Sequence, residues 1–129
     1  MPKLTTTLTM SSADAFAHQP INISTNIELN VEAPYTDLSR VAAPVSGVKE
    51  LHPASGAGVL YFYVKHTGLL AVDSTATTNV VTVLNATGEP IATLGAQEFL
   101  FIPVTAGEGL EVTSAGGAVF VEYLYFTKG

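Results

Sequence analysis

Gly58-Val59-Leu60-Tyr61-Phe62-Tyr63-Val64-Lys65-His66 carries its first charge only at the eighth position. A side-chain period of two, the repeat of a strand, puts Leu60, Phe62 and Val64 on one face and Val59, Tyr61 and Tyr63 on the other. Ala118–Phe126 reads the same way, with Phe120, Leu124 and Phe126 opposite Val119, Val121, Tyr123 and Tyr125. A sheet with one wet face shows a polar residue at every second position. These stretches do not, so both faces of both strands are expected to be covered. Four of the five tyrosines fall here, as Tyr61/Tyr63 and Tyr123/Tyr125. A tyrosine ring buries area while its hydroxyl stays satisfied at the edge, which suits a surface that meets another layer or another chain. The four are therefore candidate interface residues, and the covering layer is either the rest of the same chain or a second chain.

Working outward, Leu4–Met10 alternates Leu4, Thr6, Leu8 and Met10 against Thr5, Thr7 and Thr9, a half-buried strand or an arm that becomes one on docking. Residues 11–19 break that pattern. From Ile21 the alternation is the cleanest in the chain: Ile21, Ile23, Ile27, Leu29 and Val31 oppose Asn22, Ser24, Asn26, Glu28, Asn30 and Glu32, an outer strand with one wet face. Residues 32–58 hold Pro34, Pro44 and Pro53 and little periodicity, and read as an irregular, partner-touching loop with a short helical turn at Asp37–Ala43. Beyond Tyr63, strands are expected at Leu69–Asp73, Asn79–Leu84, Ile91–Leu94, Glu98–Val104, Leu110–Thr113 and Val119–Phe126. Asn85–Pro90, Ala106–Gly109 and Ser114–Gly117 separate them with turn residues, the last two read as hairpin turns. Many short strands with almost no helix indicate an all-β fold, an antiparallel β-sandwich or jelly-roll. The expected organisation is an extended N-terminal arm, residues 1–19, and a single sandwich domain, residues 20–129.

At 129 residues the chain is one domain by length, able to bury roughly two thirds of its unfolded surface. It has no cysteine, which excludes disulfides and thiol chemistry, so the fold rests on packing. Charged residues make up 12% of the chain, half the usual share of about a quarter. Much of the surface is then neutral or covered. A formal net charge of −6, with Lys3, Arg40, Lys49, Lys65 and Lys128 scattered, argues against nucleic acid as a direct partner. The N-terminus lacks the apolar core of a secretion signal, and no run approaches the roughly 20 apolar residues of a membrane span. Synthesis in the cytoplasm and no membrane partner are the expectation.

The residues that could carry chemistry fall in no catalytic pattern. His18, His52 and His66 lie far apart, with no His-x-His to open a cupin-type metal site, so no metal or other cofactor is expected. Most carboxylates sit at turns or on wet strand faces; Glu122 shares a face with Phe120 and Leu124 and is expected to pair with Lys65 or a backbone donor rather than to catalyse. There is no Gly-x-Ser-x-Gly, and the Gly107/Gly109 and Gly116/Gly117 pairs lack the helix and lysine of a phosphate loop. The reading is that the chain is not an enzyme.

The Thr-rich start, the short-strand sandwich and the closing stretch Gln97-Glu98-Phe99-Leu100-Phe101-Ile102-Pro103-Val104…Gly109-Leu110-Glu111-Val112…Val119-Phe120-Val121-Glu122-Tyr123 together resemble the small virion structural proteins of tailed bacteriophages, of the capsid cement or decoration type. The resemblance covers mainly residues 80–126, by pattern rather than by a diagnostic motif, and carries over no site residue. It implies a non-enzymatic homo-oligomer, trimer or dimer, made in the host cytoplasm. Such a protein sits on the capsid surface of the virion and bridges subunits of the major capsid protein. The alternative from another class is a carbohydrate-binding module or a tail-associated adhesin or fibre protein.

Overall fold

The computed structural model describes residues 2–16, 19–54 and 58–129, which hold ten strands and no helix. In chain order they are β1 (Lys3–Phe16), β2 (Gln19–Tyr35), β3 (Ser39–Ala43), β4 (Lys49–His52), β5 (Leu60–Leu70), β6 (Val81–Asn85), β7 (Pro90–Leu94), β8 (Phe99–Val104), β9 (Leu110–Ser114) and β10 (Val119–Lys128). They form two antiparallel sheets. One runs β1-β2-β10-β5-β8, with β3 also paired to β10; the other runs β4-β9-β6-β7. The chain is an all-β antiparallel β-sandwich.

The core lies between the sheets. Leu60, Phe62 and Val64 of β5 and Val119 and Val121 of β10 meet Leu51, Val81, Val83, Leu94, Leu110 and Val112 of the smaller sheet, all buried. Each such side chain contributes about 1.5–3 kcal/mol by leaving water. The turn after β6 is a true hairpin: Asn85 Oδ1 accepts from the Thr87 and Glu89 amides at 3.0 and 2.9 Å. The other two glycine turns are not hairpins. β8 and β9 belong to different sheets, as do β9 and β10, so each of these turns carries the chain across the sandwich. Gly109 sits at the tightest point, where a Cβ would strike the backbone of His52–Ala54.

Three local expectations change. The helical turn at Asp37–Ala43 is strand β3, whose residues Ser39–Ala43 pair with Tyr123–Val119 of β10. A helical turn there would leave that edge of β10 without backbone partners. The separate strand at Leu69–Asp73 is absent, because β5 continues to Leu70 and residues 71–73 turn. Gly68 makes that continuation possible: it takes φ +78, opposite the register shift between Val119 and Val121, so the chain bulges instead of ending. The stretch 32–58 is more regular than its prolines suggest, since it holds the end of β2 and all of β3 and β4.

The segment expected as an N-terminal arm holds β1. β1 pairs with β2 in continuous register from Lys3↔Asn30 to Ser12↔Ile21, through residues 11 and 12 where the alternation breaks. The result is a long two-stranded ribbon whose base joins the body through Val31, Glu32 and Tyr35 of β2 against β10.

Candidate interaction surface

Identical spelling puts the two tyrosine pairs on opposite faces. In the β5–β10 register Tyr61 lies against Phe126 and Tyr63 against Leu124, whereas Tyr125 lies against Phe62 and Tyr123 against Val64. Cross-strand neighbours share a face, so Tyr123 and Tyr125 point into the sandwich and Tyr61 and Tyr63 away from it. Tyr125 packs edge-on to His52 at 4.9 Å between ring centroids and tilts against Phe62 at 5.5 Å; Tyr123 also rests on the core.

The outer face carries Tyr61, Tyr63, Phe101, Leu124 and Phe126. Tyr61 stacks on Phe126 at 5.4 Å, with 9° between ring planes, and tilts against Phe101 at 5.7 Å. The Tyr63 hydroxyl donates to Glu122 Oε1 at 3.3 Å, which gives this carboxylate its partner on the apolar face. Burial first, then the Glu122 charge and that hydrogen bond, raise the Tyr63 hydroxyl above its ordinary 10.0. Nearby, the Arg40 guanidinium lies 5.5 Å over the Phe120 ring, a cation–π contact.

The ribbon extends this apolar surface. Its cross-strand pairs Leu4/Leu29, Thr6/Ile27, Leu8/Thr25, Met10/Ile23 and Ser12/Ile21 share one face, and Thr5, Thr7 and Thr9 with Glu28, Asn26 and Ser24 share the other. Leu29, at the base, is buried, but Leu8, Met10, Ile23 and Ile27 remain 45–50% exposed. The expected outer strand with one wet face is thus a ribbon with solvent on both. Between it and the body runs an apolar cleft of about 530 Å³, bounded by Leu4 through Leu8 of β1, Phe99 through Phe101 of β8, Tyr63 and Leu124. Phe99 at its rim is 59% exposed. Sequence reading found the alternation of β1 and β2 but missed this surface, since only the register shows that their two apolar sides coincide.

Three polar side chains bond to backbone groups. His66, fully buried, accepts from the Gly68 amide on Nδ1 at 2.8 Å and bonds the Asn79 carbonyl through Nε2 at 2.6 Å. The first bond makes Nδ1 the acceptor, so Nε2 carries the proton. His52 Nδ1 bonds the Pro53 carbonyl at 2.8 Å; His18 lies outside the described residues. Asp73 closes its turn by accepting from the Thr75 hydroxyl and amide at 2.7 and 3.0 Å, which lowers its pKa. Among the described residues, no group of three or more His, Asp or Glu is placed to hold a metal ion. No helix among them is long and apolar enough to cross a membrane. Set against known protein families, curated proteins and solved structures, the chain matched none, so the surface described above rests on its own geometry.

Proposed function

We propose that the chain is a non-enzymatic virion structural protein of a tailed bacteriophage, of the cement or decoration type, which self-associates and bridges subunits of the major capsid protein. One observation carries the adhesive part of this reading: a ribbon whose apolar face is half exposed, continuous with an aromatic sheet face, on a chain with few charges. Exposed contiguous apolar surface of this kind marks an interaction site. The capsid as partner comes from the resemblance in the sequence. Tyr61 and Tyr63, on the outer face, would make the contact between chains, while Tyr123 and Tyr125, on the inner face, would stiffen the sheet. Exposed side chains of the 32–58 stretch, Tyr35 and Leu38 before β3 and Val45 and Val48 after it, would supply further apolar contacts for the capsid. Many symmetric copies would then hold the particle by avidity without one strong site.

Co-sedimentation of the purified chain with capsids lacking it, followed by imaging of the decorated particle, tests the reading. Regular density over junctions of the major capsid protein is the expected result. Failure to bind capsids, together with specific signal on a glycan array, would replace it with the carbohydrate-binding or tail-adhesin reading.

A further inference from the structure

A second cleft, of about 370 Å³, opens where β8, at the edge of the larger sheet, approaches β7, at the edge of the smaller. Ile102 and Val104 of β8 line it, with Ile91 of β7 and Leu110 of β9 from the other sheet. The turn that carries the chain from β8 to β9 lines it too and brings in Glu108. The Glu108 amide donates to the Thr105 carbonyl at 3.0 Å, which fixes the residue's backbone. Its side chain has no such anchor: Oε2 is buried and has no hydrogen-bond partner. A carboxylate oxygen withdrawn from water without a donor is costly, and native structures satisfy nearly all such groups. The chain's own cations do not reach it, since the ion pair among the described residues joins Lys3 to Glu28.

We infer that the cleft seats the side chain of a lysine presented by a partner protein. The methylene stem lies along Ile91, Ile102 and Leu110, and the ammonium donates to Glu108 Oε2 with its remaining protons toward the water at the mouth. Apolar walls that end in a single carboxylate match a charge carried on an apolar stem, which is the form of a lysine side chain. A guanidinium spans both oxygens of a carboxylate in one plane, whereas an ammonium is a point charge that one oxygen can take. A divalent ion takes roughly six or more oxygen ligands, and no group of three or more His, Asp or Glu gathers to hold one among the described residues. The formal net charge of −6 draws a cationic group toward the chain.

The inference deepens the bridging half of the function proposed above and rests on it only for the partner's identity. The free chain tests the cleft, with n-pentylammonium chloride as the probe and amide shifts in NMR near neutral pH as the readout. Shifts are expected at residues 102–110, with far smaller ones from n-pentanol or pentanoate. Glu108→Gln should weaken amine binding about tenfold or more with circular dichroism unchanged, and Ile91→Ser, at a half-exposed position on the wall, should weaken it several-fold. Equal shifts from n-pentanol, or amine binding undiminished by Glu108→Gln, would overturn the site. Capsids test the partner. The native chain should bind them several-fold more tightly than Glu108→Gln, and acetylation of the capsid lysines, which removes their charge, should erase that difference. Equal binding of the two chains to untreated capsids would overturn the lysine contact and leave the cement reading in place. Amine uptake through Glu108 by a chain that binds no capsid would overturn the capsid reading and leave the cleft standing.

Discussion

His66 and Tyr63 show how single side chains set this structure. His66 uses both ring nitrogens, so His66→Ala leaves the Gly68 amide and the Asn79 carbonyl without partners and opens a void in the core. The expected loss is about 3 kcal/mol or more, read from urea unfolding; a loss below about 1 kcal/mol would mean that water replaces the ring without strain. Tyr63 titrates above its ordinary 10.0 with burial as the leading cause and Glu122 as the next. Glu122→Gln should therefore lower its pKa only part of the way, as followed by ultraviolet absorbance, because the burial remains. The sign for stability follows from the same shift. A pKa raised in the folded state gives a contribution fully present below about 10 and lost as the pH rises through the folded value. Glu122→Gln should flatten that alkaline decline; an unchanged decline would assign it to burial alone.

Elements were legible in the sequence wherever a face is buried by neighbours in the same sandwich, and less so where pairing partners decide. Asn79–Leu84, Ile91–Leu94, Glu98–Val104 and Leu110–Thr113 reappear within a few residues as β6 to β9, because alternation and turn residues are local signals. β3 was hidden, since Ser39–Ala43 has no strong alternation and becomes a strand only beside β10. The two Tyr-x-Tyr pairs could be assigned faces within their own strands, but not relative to each other, because register is a non-local property. The exposed ribbon was the least visible: its apolar side spells a buried strand, yet only its base touches the body. That contrast is measurable in dilute protein. Leu29→Ala, at the buried base, should cost about 2–3 kcal/mol, whereas Ile27→Ala, half exposed one pair further out, should stay within about 0.5 kcal/mol. Gly109→Ala belongs to this scale too, because it forces apart two backbone segments where the chain crosses between sheets. Backbone yields less than a side-chain end, so about 1–3 kcal/mol should be lost, with the melting temperature as readout.

At the scale of the whole molecule, charge and apolar surface make opposing demands on association. Each copy carries a formal net charge of −6, and among the described residues the one ion pair, Lys3 Nζ to Glu28 Oε1 at 2.8 Å, sits on the exposed polar side of the ribbon. Bringing two such copies together costs repulsion spread over their surfaces, while the contact proposed for them is apolar and gains little from Coulomb attraction. Salt screens repulsion between exposed charges, with a Debye length that falls from about 30 Å at 0.01 M to about 8 Å at 0.15 M. It leaves apolar burial intact, and sulfate strengthens it. Self-association should therefore tighten as sodium chloride rises over that range, and tighten further in sulfate at matched ionic strength, with analytical ultracentrifugation as the readout. A contact built on complementary charges would do the opposite, loosening with salt and responding to ionic strength rather than to the identity of the anion. The direction of that one dependence separates an adhesive apolar ribbon from an electrostatic contact, whatever the particle on which the chain resides.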